Sequence, residues 1–187
     1  MKIEPRTWSL KDGRICCLRS PEPDDAEAMI RHARRVADET EFVSAYRDEI
    51  NITTEEQAAL IEQYTASVYQ LCVLAFIDDA LAGICLIQGK SGRRKSRHRT
   101  DLGISVQKAY WSLGIGRALL SAALEEAGKL EIEQIELAVY EGNERARQLY
   151  KDAGFLDVGL LPRAARLADG SYLGEYIMVF NVQRRGG

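Results

Sequence analysis

This sequence has little histidine, little cysteine and no long apolar run. His32 and His98 are its only histidines, too few for a multi-histidine metal centre. The four cysteines, Cys16, Cys17, Cys72 and Cys85, show no CxxC spacing, which removes the common zinc and dithiol frameworks. Three of them lie in apolar runs and read as small buried hydrophobes of a reducing, cytoplasmic compartment. No stretch approaches the roughly 20 apolar residues that span a bilayer, and Met1–Arg6 lacks the apolar segment of a secretory leader. No membrane partner is therefore expected. Neither sign of charge dominates: 25 Lys and Arg against 28 Asp and Glu leave a net charge of −3. A general attraction to nucleic acid is thereby excluded. Only four prolines occur, with no Pro/Gly-rich linker and no internal repeat, so 1–187 reads as one domain.

What is present is an alternation of strand and helix signals. Residues 14–19 follow the Asp12-Gly13 turn signal and read as a strand, the second arm of a hairpin. Ser20–Asp25 starts a helix with apolar residues Ala26, Met29, Ile30, Ala33, Val36 and Ala37 at helical spacing. Thr53 and Glu56 fit a capping box for a second helix that runs to about residue 67. The connection 40–52 reads as irregular. Gln70–Ile77 and Leu81–Gln88 are apolar runs joined by Asp78-Asp79, which predicts a hairpin. A basic loop, 90–99, leads into a strand near 99–106. A helix with Ile115, Ala118, Leu119, Ala122 and Ala123 on one face follows, then a strand over Ile135–Val139. Asn143 caps a short helix whose inner face is Ala146, Leu149, Tyr150 and Ala153, with Gly154 as its stop. Phe155–Leu160 and Tyr172–Phe180 read as final strands separated by Pro162 and the Asp169-Gly170 turn.

The junction Tyr110–Leu119 carries the chemistry. Gly114 and Gly116 lie between an apolar strand and a helix, where a tight turn presents consecutive amides at a helix N-terminus. Such amides and the positive end of the helix dipole make a phosphate site. A P-loop needs GxxxxGK[ST], and this stretch has neither the Lys nor the hydroxyl residue. The dinucleotide fingerprint GxGxxG matches Gly114 and Gly116 but finds Leu119 at its third glycine. Glu141 does follow the next strand as an acidic residue. This reading is also displaced from its place at a first βαβ unit, so it is weakened rather than removed.

Two further matches occur in order. A strand ending at Val106 is followed by Trp111-Ser-Leu-Gly114-Ile-Gly116, similar to the [RQ]xxGx[GA] motif of the GNAT acyltransferase superfamily. Asn143-Glu-Arg-Ala146-Arg-Gln-Leu149-Tyr150-Lys-Asp-Ala153-Gly154-Phe155 then resembles that family's N-x-x-A-x-x-L-Y-x-x-x-G-F. The order of the upstream elements matches as well, so the resemblance covers nearly the whole chain. One departure is Trp111, where the family has Arg or Gln and hence a side-chain contact to phosphate.

The resemblance implies an α/β (α+β type) fold: a mixed, mostly antiparallel sheet of about six to seven strands flanked by about four helices. It implies acetyl-CoA as cosubstrate, with the backbone of Ile104 and Val106 pairing with the pantetheine arm. The amides of Ser112, Leu113, Gly114, Ile115, Gly116 and Arg117 would hold the pyrophosphate. Trp111, Asn143, Ala146 and Tyr150 complete the implied cofactor set. The implied reaction is N-acetyl transfer by direct attack of a primary amine of a small molecule or peptide. An amine of pKa about 10.4 must lose a proton, and a thiolate resembling Cys at about 8.5 benefits from an acid. The resemblance assigns the acid to Tyr150. Asp101, on the strand before the turn, and Glu141 are the candidate bases, and water leading to bulk solvent is a third route. No cysteine stands in a nucleophile context.

The acceptor region by the resemblance includes Glu39, Glu41, Phe42, Tyr46, Glu49, Arg163, Arg166, Tyr172, Glu175 and Tyr176. The acids favour a cationic amine and the arginines a carboxylate-bearing one. The basic loop lacks aromatics for base stacking, so it reads as a solvated loop and nucleic acid as no expected partner. Two other functions fit the same fold: a non-catalytic acyl-CoA sensor, and a ribosome-associated protein N-acetyltransferase resting on the basic loop. The strand at 172–180, read as an edge, offers pairing with a second copy as a homodimer.

Overall fold

A computed structural model describes residues 2–90, 93–130 and 132–182. Ser91 and Gly92 of the basic loop lie outside the described residues. The chain forms one mixed sheet of eight strands in the order β1-β2-β3-β4-β5-β6-β8-β7. The strands are β1 (Arg6–Ser9), β2 (Ile15–Arg19), β3 (Leu71–Ile77), β4 (Ala80–Gly89), β5 (Arg99–Val106), β6 (Gln134–Tyr140), β7 (Leu156–Arg166) and β8 (Tyr172–Asn181). Four α-helices flank it: α1 (Ala26–Glu39), α2 (Thr54–Ala66), α3 (Ile115–Ala127) and α4 (Glu144–Asp152).

Both faces of β3 are covered, which is why its sequence is an unbroken apolar run rather than an alternation. Leu71, Val73, Ala75 and Ile77 join the larger core with α3 and Tyr150, while Cys72 and Leu74 join a second core with α1 and α2. Asp78 and Asp79 both adopt positive φ, at 48° and 62°, which makes the β3–β4 turn the primed type that matches strand twist. The capping box of α2 is formed: Thr53 Oγ1 accepts from the Glu56 N–H at 3.2 Å, and Glu56 accepts from the Thr53 N–H at 2.9 Å.

All neighbouring strands are antiparallel except β5 and β6. Those two are in register only at Arg99/Gln134, Thr100/Ile135 and Asp101/Glu136. β5 stays paired with β4 as far as Val106, and β6 stays paired with β8 as far as Tyr140. The sheet therefore opens between β5 and β6 beyond Asp101, and the opening points at the N-termini of α3 and α4.

Three expectations need correction. The first arm of the N-terminal hairpin is a strand of its own, β1, which brings the count to eight. β7 does not stop at Leu160 but runs through Pro162 to Arg166, with register shifts between Leu161 and Ala165 and a positive φ of 54° at Arg163. Proline is tolerated there because β7 is the outer strand and a bulge needs no ladder N–H. For the same reason 172–180 is not an edge: β8 lies between β6 and β7, and the free edge with exposed Leu156, Val158, Leu160 and Leu161 is β7.

Candidate active site

The opening of the sheet continues into a cavity of about 720 Å³. Ile104, Val106, Trp111, Ser112, Leu113, Gly114, Ile115, Gly116, Arg117, Asn143, Ala146 and Tyr150 all line it. The structure thus brings together every residue expected to bind the cosubstrate.

Strand parity decides which backbone groups face the opening. The Gln107 N–H donates to Ala82 O at 3.0 Å, and Gln107 and Ala82 are opposite in the β4–β5 register. Antiparallel pairs alternate between bonded and non-bonded rungs. Ser105 is therefore bonded to β4, while the peptide groups of Ile104 and Val106 turn toward the gap left by β6. One of these groups is already used: the Trp111 indole N–H donates to Val106 O at 2.7 Å.

The turn after β5 is an amide cradle. Ser112 and Gly114 have φ of 65° and 101°, which aims successive N–H groups into one concavity. Ala118 is the first residue of the turn whose N–H finds a protein acceptor, Gly114 O at 3.0 Å. Among the described residues, the N–H groups of 112–117 have none. Six consecutive N–H groups without a protein acceptor, at the mouth of a cavity and at the positive end of α3, form a geometry suited to an anion. Gly116 matters by size: a Cβ there would lie 3.1 Å from Leu149 Cδ2 of α4. The Lys11 N–H donates to Leu113 O at 3.1 Å and ties the N-terminal hairpin to the cradle.

α4 is set by Asn143, whose Oδ1 accepts from the Ala146 N–H at 3.3 Å. Its inner face delivers Tyr150, which packs on Phe155 at 5.7 Å between centroids and is 6% exposed. The Tyr150 hydroxyl has no hydrogen-bond partner among the described residues and lines the cavity. Burial pushes its pKa well above the ordinary tyrosine value, so the phenol keeps its proton at any physiological pH. Burial raises the thiols as well, Cys16 to about 11 and Cys72 to about 12. Neither is a nucleophile in that state.

The two candidate bases sit elsewhere. Asp101 is on the last paired rung of β5 and β6, largely exposed, and forms an ion pair with Lys90 at 3.2 Å. Glu141 accepts from the Gly174 N–H at 3.0 Å across the β6–β8 ladder. Neither lines the cavity: Asp101 lies on the closed part of the β5–β6 pair beside Lys90, and Glu141 turns to the Gly174 amide. Lys90 and Arg99 of the basic stretch converge on buried Glu136, so those two cations are neutralised within the fold. Arg99 above all, then Lys90, holds the Glu136 pKa down to about 2.

Sequence reasoning missed a buried pair behind the cavity. His32 on α1 is 1% exposed, and its Nε2 lies 2.8 Å from Oγ of Ser105, a cavity-lining residue. Gln107 Nε2 approaches His32 Nδ1 at 3.3 Å. Desolvation lowers the His32 pKa to about 4, so the ring is neutral. The signal was its spacing: His32 falls three after Met29 and four before Val36, on the buried stripe of α1.

A sheet split at a parallel pair, with a helix N-terminus of free amides at the mouth of the split, defines a protein that binds a phosphate-bearing ligand along a strand. Comparison makes this specific. Residues 39–155 match the model of the acetyltransferase (GNAT) family, and the chain belongs to that family. It is 32% identical over 107 residues to an L-amino acid N-acetyltransferase, AaaT, of Escherichia coli (strain K12). The match covers 57% of this chain and 65% of that relative. A GNAT-family acetyltransferase of Streptococcus pneumoniae superposes with a TM-score of 0.85 at 32% identity, over 90% of this chain and 99% of that one. A phosphinothricin acetyltransferase from Sinorhizobium meliloti, determined with acetyl-CoA, shares the fold at a TM-score of 0.79 and 18% identity, over 94% and 89% of the two chains. Acetyl-CoA is the cosubstrate of this family, and the free amides, the unpaired β5 edge and the cavity fit it. Among the described residues, no helix is long and apolar enough to cross a membrane.

Proposed function

We propose that this protein transfers the acetyl group of acetyl-CoA to the amino group of a small, carboxylate-bearing amine. The single observation that carries the acceptor class is the state of charge in a second cavity. It measures about 280 Å³, shares Thr40 and Val43 with the first, and is lined by Glu39, Glu41, Tyr46, Tyr140 and Arg166 among others. Two of its three acids are engaged: Glu39 accepts from the Lys108 N–H at 2.6 Å and from Arg35 at 2.9 Å, and Asp38 pairs with Arg47, while Glu41 has no cationic partner among the described residues. Arg166 has no carboxylate partner among the described residues and lies 5.9 Å from the Tyr172 ring. An unpaired guanidinium beside an unpaired carboxylate, Arg166 and Glu41, suits an acceptor that carries both a carboxylate and an ammonium group. The relative named as an L-amino acid N-acetyltransferase supports the same class.

Acetyl-CoA, when bound, supplies an activated thioester. The cradle of 112–117 fixes its phosphates, and the Ile104 and Val106 peptide groups align its arm along β5. The acceptor amine enters from the Thr40–Val43 side and loses its proton to water in the open cavity, with Ser105 as the polar group held there by His32. Tyr150 keeps a proton at its phenolic oxygen and passes it to the departing sulfur. No covalent acyl-enzyme is needed.

The test is a thiol-release assay on L-amino acids and their decarboxylated amines. Turnover confined to the amino acids, with an increased acceptor KM in Arg166→Gln, supports the acceptor class. Equal turnover of the decarboxylated set overturns it and leaves the transferase reading intact. A homodimer, where formed, is proposed to pair along the exposed β7 edge.

A further inference from the structure

Three cationic residues line the cavity: Lys11, Arg117 and Arg145. Arg117 is engaged, with Asp152 at 3.3 Å. Arg145, in the first turn of α4, has no carboxylate partner among the described residues. It is nevertheless fixed. Its guanidinium lies over the Trp111 ring with Cζ 3.5 Å from the centroid, and the indole is itself anchored on Val106 O. The chain neighbour of Trp111 is Ser112, first residue of the amide cradle. Partial burial against that ring lowers the Arg145 pKa, though the residue remains largely exposed at the cavity mouth. Stacking on an aromatic face uses the flat sides of a guanidinium and leaves its in-plane N–H donors free.

We infer that Arg145, held on the Trp111 ring, is a phosphate ligand of the cosubstrate, adding a charged donor to the cradle of backbone amides. The inference rests on the acetyl-CoA reading and specifies one residue of it. It also gives Trp111 a reason: the position beside the cradle carries no cation of its own but serves as the platform for one brought in from α4. The donor geometry fits either the pyrophosphate or the 3′-phosphate, and both are phosphate monoanion or dianion oxygens that a planar fork binds in the same way.

The experiment titrates wild type, Arg145→Gln and Arg145→Lys with acetyl-CoA, 3′-dephospho-acetyl-CoA and S-acetylpantetheine, which has no phosphate. Loss of one charge-assisted contact is expected to weaken acetyl-CoA binding by on the order of 10- to 100-fold in the Gln variant. Lys recovers part of that loss, since it keeps the charge but neither the fork nor the stacking. S-acetylpantetheine binding is expected not to change. If the deficit persists with the dephospho compound, the contact is to the pyrophosphate; if it vanishes, the contact is to the 3′-phosphate. An Arg145→Gln variant that binds acetyl-CoA as wild type does, or one that loses S-acetylpantetheine equally, overturns the inference. Wild type that binds no acetyl-CoA instead overturns the cosubstrate reading beneath it. Arg145 is a surface residue of α4 with no buried partner to strand, so the variants are expected to fold.

Discussion

Replacing Tyr150 by Phe separates catalysis from packing, because the structure assigns the ring and the hydroxyl different work. The ring belongs to the main core and packs on Phe155, and Phe keeps that. The hydroxyl has no internal partner and faces the cavity, so removing it strands no donor or acceptor. Stability should therefore change by less than about 0.5 kcal/mol, a melting shift of no more than about 2 °C for a chain of this size. Loss of a positioned general acid costs about 10²- to 10⁴-fold in rate, or about 3–5 kcal/mol of barrier. The assay is kcat by thiol release, with acetyl-CoA affinity measured on the same samples. The acid acts in its protonated form, and burial raises its pKa above 10. Wild-type kcat should consequently show no alkaline loss from this group below pH 10. A variant within about threefold of wild-type kcat at unchanged affinity would reduce Tyr150 to core packing. An alkaline inflection near pH 8–9 that disappears in the variant would refute the burial argument.

Gly114→Ala and Gly116→Ala should fail in different ways. The first forces a Cβ onto a φ of 101°, at about 1–2 kcal/mol, so both the melting temperature and acetyl-CoA affinity fall. The second gains up to about 1 kcal/mol of helix propensity against a contact with the tip of Leu149, itself a cavity-lining residue, so stability holds while affinity falls; a calorimetric titration that finds unchanged affinity would show that Leu149 yields without disturbing the site, since Ala keeps the N–H at 116. The Glu136 pKa is depressed to about 2, so its stabilising contribution is present above about pH 4.5 and is lost as pH falls toward 2. It amounts to at most about 3 kcal/mol. Glu136→Gln should lower neutral stability and flatten the acid limb of a denaturation series; an unchanged limb would show that the Arg99–Glu136–Lys90 cluster contributes nothing. Leu160→Glu on β7 should convert any dimer to monomer in sedimentation velocity, and a dimer that survives would place the interface elsewhere.

The parts of this site that the sequence displayed are the ones fixed by short-range rules. Glycines at a strand-to-helix junction, an Asn cap and a helical period from Ala146 to Ala153 each act within a few residues, so they were legible without the fold. The parts that were not legible depend on distant partners. Pro162 reads as a strand breaker until β7 proves to be the outer strand, where its missing N–H has no consequence. The position of β8 inside the sheet is set by pairing with β6 forty residues earlier, which no local pattern encodes. Asp101 lies within β5 and Glu141 just beyond β6, and alternation along a strand reveals neither where the sheet opens nor that Glu141 turns to the Gly174 amide. Arg145 was a plain surface cation until the fold laid it on Trp111, thirty-four residues upstream.

Trp111 also constrains how the ligand lies along β5. The peptide groups of Ile104 and Val106 face the opening, yet Val106 O is occupied by the indole N–H. What remains for an amide-bearing ligand is the Ile104 N–H, the Ile104 C=O and the Val106 N–H. An extended ligand strand that paired with these would satisfy one donor and two acceptors of its own, and it would stop at Val106 because the next acceptor is taken. The same indole thus ends the strand-pairing surface and begins the phosphate surface, so the junction between the two halves of the site sits at a single side chain. A residue at 111 with neither a donor nor an aromatic face would free Val106 O and release Arg145 together, and the two effects should appear as coupled losses rather than independent ones.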